Sequence, residues 1–243
     1  MSAGSVEPLV GILIVITGIF FIYSLVSTVI IRLLNLRVIR RIPQDETIAL
    51  TFDDGPHPVY TRALLDVLEK HGVKATFFVV GEHAEQYPEL INRMKVEGHS
   101  FGVHHYRHRS SWFLSPLGLK NQLDKTNRVI KQLTGEETLF YRPPWGHFNL
   151  FSLLFTKRYR IVIWSHIFKD WKVKECKEHL LRRLNEADTS GAIFILHDSG
   201  STTGADEEAP QYMLKCLDAY IEDALSRNIQ FITLDDAFKL KES

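Results

Sequence analysis

The sequence predicts an α/β protein, with a mainly parallel sheet in a closed or nearly closed (β/α) barrel and one transmembrane helix ahead of it. Three observations carry this prediction. Pro8 to Ile31 is a run of 24 residues without a charged side chain. Short β-rich apolar runs recur through the rest, with helical patterns between most of them, and that alternation implies parallel strands. Seven strand candidates in about 200 residues favour a barrel over an open sheet.

At about 1.5 Å per residue the charge-free run makes a helix of roughly 36 Å, enough to cross a hydrocarbon core of about 30 Å with some tilt. A cleaved signal peptide fits less well, because no Lys or Arg precedes the run and it leads into LLNLRVIRRIP. A buried core helix of that length at the N-terminus would be unusual. The expected organisation is an anchor over residues 1–34, a basic juxtamembrane linker over 35–45 and one domain with a sizeable core over 46–243. Arg32, Arg37, Arg40 and Arg41 follow the span, and the positive-inside bias would hold that side in the cytoplasm.

The strand candidates are Thr47–Phe52, Ala75–Val80, Ser100–His104, Leu139–Tyr141, Ile161–Trp164, Ala192–Leu196 and Gln230–Thr233. Between them, Thr61–His71 carries Leu64, Leu65 and Leu68 at helical spacing and stops at Gly72, which fits a C-terminal cap. Leu117–Leu133, Glu175–Ala187 and Gln211–Ser226 read as helices with one apolar stripe. The polar, glycine-containing segment 199–210 reads as a mobile loop.

Composition excludes several function classes. With 29 Lys plus Arg against 29 Asp plus Glu there is no cationic excess to neutralise phosphates, so no nucleic acid partner is expected. A 45% hydrophobic content excludes disorder. Cys176 and Cys216 can form at most one bridge and lie in no metal-finger spacing, so they are expected to be inert.

The chemistry-bearing residues follow the strands. After the first comes TFDDGPHP, after the third HHYRH, after the fourth YRPPWG and after the sixth LHDSG. In parallel α/β architectures this is the end where active sites assemble. One Asp oxygen with two His nitrogens leaves coordination positions open for water, as hydrolytic zinc sites do. His104 and His108, four apart, can face the same way on a helix or along a strand and the turn after it. On a strand Asp53 and Asp54 point apart, so one can ligate while the other takes a proton. Taken singly, Asp-Asp-Gly-Pro is commonest as a surface turn, HHYRH fits a solvated cationic patch and His197 fits a satisfied core histidine. Their joint position at successive strand ends points to a site. Trp112, Trp145 and Trp171 could present flat apolar faces to a ligand, a role that core packing explains equally well.

Over roughly Glu46 to Phe238 these motifs resemble the polysaccharide deacetylases with a NodB-homology domain, grouped as carbohydrate esterase family four. TFDDGP resembles the first motif, which implies Asp53 as catalytic base and Asp54 as metal ligand. HHYRH resembles the second, whose outer histidines, here His104 and His108, complete the metal triad. RPPWG resembles the third, implying that Arg142 orients the base and that Trp145 gives a backbone N–H to the oxyanion. KDWK resembles the fourth, in which Asp170 tunes the acid and Trp171 walls the pocket. ILHD resembles the fifth, with Ile195 at a pocket position and His197 as catalytic acid. Three positions depart from the family pattern: His105 stands where Ser or Thr is usual, Ile167 where an Asp often precedes Asp170, and Ile195 where Leu is usual.

The resemblance implies a distorted (β/α) barrel of the NodB-homology type and a divalent-cation cofactor, zinc first, with cobalt, nickel or iron compatible. It implies a membrane-anchored hydrolase releasing acetate from N-acetylglucosamine in a cell-envelope polysaccharide such as peptidoglycan. The partners would be that polysaccharide and the lipid bilayer. Family habit puts such a domain outside the membrane, against the arginine bias. Two alternatives stand beside this: deacylation of a lipid-linked amino sugar or small amide at the membrane surface, and a carbohydrate-binding protein without catalysis.

Overall fold

The computed structural model describes residues 6–239, so the expected outer bounds at residues 1 and 243 lie outside the described residues. Among the described residues nine strands form one sheet: β1 (Val38–Ile39), β2 (Thr47–Asp53), β3 (Thr76–Val79), β4 (Ser100–Val103), β5 (Phe140–Tyr141), β6 (Arg160–Val162), β7 (His166–Ile167), β8 (Ala192–His197) and β9 (Gln230–Phe231). Their order is β1-β6-β5-β4-β3-β2-β8-β7, with β9 paired to the start of β2, and every strand pair is parallel. The sheet curls without closing, since β1 and β7 end the series. It is the distorted barrel that the sequence predicts.

Two faces divide each strand by the period of two. On β2, Ile48, Leu50 and Phe52 point outward into the main core under the helices, while Ala49 points inward to Phe78, Phe140, Val162 and Ile193. The short helix Leu234–Ala237 plugs the bottom of this inner core: Leu234 N–H donates to Thr76 Oγ1 at 2.9 Å. Above the apolar layer the interior turns polar, with Thr51, Arg142, Asp53, His104 and His197 rising toward the strand C-termini.

The outer helices follow the apolar stripes. Tyr60–His71 buries Leu64, Leu65 and Leu68 and ends at Gly72 in the left-handed conformation (φ 64°). Pro116–Thr134 starts on Ser115, whose hydroxyl accepts from Gly118 N–H, and ends at Gly135. Between β3 and β4 lie Gly81–Gln86 and Pro88–Val96, which the sequence reading left without a helix.

One expectation gains a detail and another changes. Within the stretch 35–45, expected as a basic juxtamembrane linker, Val38 and Ile39 pair with Ile161 and Val162 and so contribute β1. Segment 199–210 is tied down rather than loose: Asp206 N–H donates to Trp171 O at 2.9 Å, and its carboxylate accepts from Lys172 Nζ at 2.7 Å and Val173 N–H at 2.9 Å.

The one helix among the described residues that is long and apolar enough to cross a membrane is Pro8–Leu33. Its first half is exposed, and its second half packs on the domain through Ser24, Ser27, Thr28 and Ile31. A π-type turn over Ile22–Val26 marks the place where the packing begins.

Candidate active site

Sheet register assembles the site. Asp53 and His197 are the last residues of β2 and β8 and lie directly opposite each other, so both side chains enter the barrel mouth. Val103 is paired with Tyr141, which sets His104 beside Arg142 one residue later on β4 and β5. Asp54 has φ 76°, a left-handed turn that brings its carboxylate into the same mouth as Asp53 despite their adjacency. His105 (φ 64°) and Trp145 (φ 56°) turn the next two loops in the same way. Such backbone conformations cost free energy and concentrate at functional sites.

Arg142 is fully buried and stacks over the Phe78 ring, 4.0 Å from its centroid. Its Nη1 donates to Asp53 Oδ1 at 2.6 Å and to Thr51 Oγ1 at 2.8 Å, and its other nitrogens donate to Val162 O and Ile163 O. Asp53 therefore has one oxygen occupied, while Oδ2 faces the cleft 3.8 Å from His104 Nε2. Gly102 makes room for this arrangement, since a Cβ there would lie 2.3 Å from Phe78 Cδ1.

One carboxylate and two imidazoles converge. The ligand atoms of Asp54, His104 and His108 all lie within 4.8 Å of one another. Asp54 Oδ1 is 3.3 Å from His104 Nε2 and 3.1 Å from His108 Nε2, yet it is a buried oxygen with no hydrogen-bond partner. His104 Nδ1 lies 2.8 Å from Arg142 O. A carbonyl only accepts, so Nδ1 carries the proton and Nε2 turns a lone pair toward Asp54. Acceptors facing each other in a buried pocket call for a cation, and an O/N/N donor set with open positions fits zinc or another divalent first-row metal. Asp54 Oδ2 also accepts from Thr202 Oγ1 at 2.9 Å.

His197 lies across the cleft. Asp170 receives its backbone N–H at 2.6 Å on Oδ2 and meets its Nδ1 at 3.0 Å on Oδ1, which leaves Nε2 as the free nitrogen. Burial pulls the imidazole pKa down, yet Asp170, then Asp54 and Asp53, raise it to about 10. The ring is therefore cationic at neutral pH.

The cleft between these groups measures about 370 Å³. Trp145, Trp164, Ile167, Trp171 and Ile195 wall it, and 202–205 form a rim. The ten residues expected from the sequence meet here: eight line the cleft, and Arg142 and Asp170 hold Asp53 and His197 from behind. Trp112 lies elsewhere, stacked on His147 at 3.8 Å with its Nε1–H donated to Thr28 Oγ1 at 2.8 Å.

Sequence reasoning missed Trp164, Thr202 and Asp198. Trp164 reads as a strand residue and Thr202 as part of a polar loop. Asp198 is buried behind the turn after Asp54, accepts from the Thr61 hydroxyl and leaves Oδ1 unpartnered. A Cβ on Gly55 would overlap this carboxylate, which is why the turn carries glycine. His105 was noted only as a departure. It is buried, its Nδ1–H donates to Arg109 O at 2.8 Å and its Nε2 accepts from Tyr141 OH at 2.9 Å. Burial pushes it down to about 3, so it braces the metal-ligand loop as a neutral ring.

The polysaccharide deacetylase family model matches residues 40–162. The peptidoglycan-N-acetylmuramic acid deacetylase PdaA of Bacillus subtilis (strain 168) is 35% identical over 208 residues, 82% of this chain and 74% of the relative. A peptidoglycan-N-acetylglucosamine deacetylase of Bacillus cereus is 32% identical over 194 residues, 79% of this chain and 68% of the relative. A crystal structure of a peptidoglycan N-acetylglucosamine deacetylase superposes with a TM-score of 0.75 at 29% identity, covering 86% of this chain and 96% of that one. The chain therefore belongs to the polysaccharide deacetylase family, hydrolases acting on carbon–nitrogen bonds other than peptide bonds.

Proposed function

We propose that this chain removes the N-acetyl group from N-acetylglucosamine or N-acetylmuramic acid in cell-wall peptidoglycan, releasing acetate, with a divalent cation held by Asp54, His104 and His108. The carrying observation is the convergence of three ligand atoms beside a second carboxylate, Asp53, that stays outside the triad. When bound there, the cation supplies Lewis-acid chemistry that lowers the pKa of water from about 15.7 toward roughly 7 and polarises the amide carbonyl.

The remaining work belongs to the chain. Asp53 Oδ2 takes the proton of the attacking water while Arg142 fixes the other oxygen and aims the carboxylate. As the water oxygen bonds to the carbonyl carbon, the Trp145 backbone N–H donates to the developing oxyanion. His197, cationic through Asp170, gives its Nε2 proton to the departing amine as the C–N bond breaks. Trp145, Trp171 and Ile195 enclose the acetyl methyl and the sugar face. Relatives named for both peptidoglycan sugars support a cell-wall substrate and leave the choice between them to assay.

The anchor within residues 1–34 would hold the domain at the cell membrane, with 35–45 connecting and 46–243 catalytic. Extracellular placement suits a wall polymer. The four arginines after the span also have folding roles: Arg32 stacks over Trp164, Arg37 donates to Leu153 O and Lys157 O, Arg40 donates to Arg32 O, and Arg41 pairs with Asp188. They need no topological reason to be there. Acetate release from N-acetylated peptidoglycan tests the reading: Asp53→Asn should cut turnover by roughly 10²- to 10⁴-fold while metal affinity stays near parental. Unchanged turnover would remove Asp53 from its role.

A further inference from the structure

We propose that the domain itself is seated in the bilayer surface, on an apolar collar that its loops build together with the anchor helix. The proposal rests on reading Pro8–Leu33 as a membrane span. Each residue from Leu9 to Ile22 is exposed, 14 residues that reach only about 21 Å at 1.5 Å per residue. A hydrocarbon core is about 30 Å thick, so roughly six more residues must lie within it. Those residues are Tyr23 to Thr28, whose inner face is already occupied by protein.

The occupied face is the polar one. Tyr23 OH donates to Leu114 O at 2.5 Å, and Leu150 N–H donates to Tyr23 O at 2.9 Å. Thr28 Oγ1 donates to Phe148 O at 2.8 Å and accepts from Phe148 N–H at 2.9 Å. Tyr23 and Thr28 are thus satisfied by the domain, and the Ser24 and Ser27 hydroxyls by Phe20 O and Ile22 O of their own helix, so the inward polar groups are paired as lipid depth requires. The opposite face, Val29, Ile30 and Leu33, is apolar and exposed.

Where the domain meets this helix it exposes apolar side chains of its own. Phe113 is 75% exposed and stacks on Phe20 at 5.6 Å. Leu150 is 58% exposed beside Tyr23, and Phe151 lies 6.2 Å from the Tyr23 ring. Scattered exposed leucines need no explanation, but apolar side chains continuous with a membrane helix form one surface that water does not suit. The bilayer is the occupant that this continuity selects. The active site then works close to lipid, since Arg32 of the same helix stacks over Trp164 of the cleft wall.

The full chain in vesicles whose acyl chains carry bromine tests the seating through the emission that one added indole contributes over the parent. Phe113→Trp should lose most of that added emission. Val96→Trp, equally exposed but on the helix that leads into the start of β4 at the opposite end of the strands, should keep it. Carbonate washing separates the two premises. A chain that resists extraction while the Phe113→Trp indole stays bright overturns the collar alone, as would shielding of that indole by a second copy. A chain that washes off overturns the span and the collar with it.

Discussion

Asp198 holds a buried carboxyl with one oxygen on the Thr61 hydroxyl and the other unpartnered, and burial, reinforced by Asp54 and Asp53, pushes its pKa up to about 7. The folded chain then binds a proton at Asp198 that the unfolded chain has already released above its ordinary value near 3.8. Its stabilising effect is complete below that value and is lost as pH rises through about 7. Asp198→Asn keeps an acceptor for Thr61 and removes the titration. Its melting temperature should fall less than the parent's between pH 5 and pH 8, and parallel curves would count against the assignment. Residues of this kind were the least legible in the sequence. Asp53, Asp54, His104, His108 and His197 announce themselves only together, because each motif alone has a bland explanation and their joint position at successive strand ends does not. Asp198, with the same chemistry, only continues the motif, and its burial depends on Gly55 leaving space across the barrel mouth.

At the scale of elements, seven of the strands were readable, the two-residue β5 and β9 among them, and β1 and β7 were not. β2, β3 and β8 carry enough alternating or continuous apolar residues to declare themselves, whereas β1 and β7 have two residues each and exist only through their partners. The loop 199–210 was misjudged for a similar reason. Its polar composition suggests solvent, but Thr202 and Asp206 spend that polarity on Asp54, Lys172 and the backbone beside Trp171. The inner strand face gives the sharpest test at this scale. Gly102 on β4 lets Phe78 on β3 lie across the barrel, and Phe78 supports the Arg142 guanidinium. Gly102→Ala should destabilise by about 1–3 kcal/mol through overpacking, read as a lower urea midpoint. It should also slow turnover as Arg142 shifts against Asp53. An unchanged midpoint would mean that the Phe78 ring has room to swing aside.

For the whole molecule, the curled parallel sheet explains why residues as far apart in sequence as Asp54 and His197 share one cleft: all strands end on the same side, and each ending delivers one part of the chemistry. The barrel and four of its motifs were legible because that rule is general, and KDWK only through the family resemblance. The docking of the N-terminal helix was not, since an apolar run gives no sign of what its few hydroxyls will meet. The proposed hydrolysis depends on the cation between Asp54, His104 and His108. Its most direct test is acetate release from N-acetylated peptidoglycan by the chelator-treated chain as zinc is returned. Release should drop to background on stripping and recover to saturation at a single ion per chain, with no recovery in Asp54→Ala. Full release from the stripped chain, or recovery of Asp54→Ala alongside the parent, would contradict it.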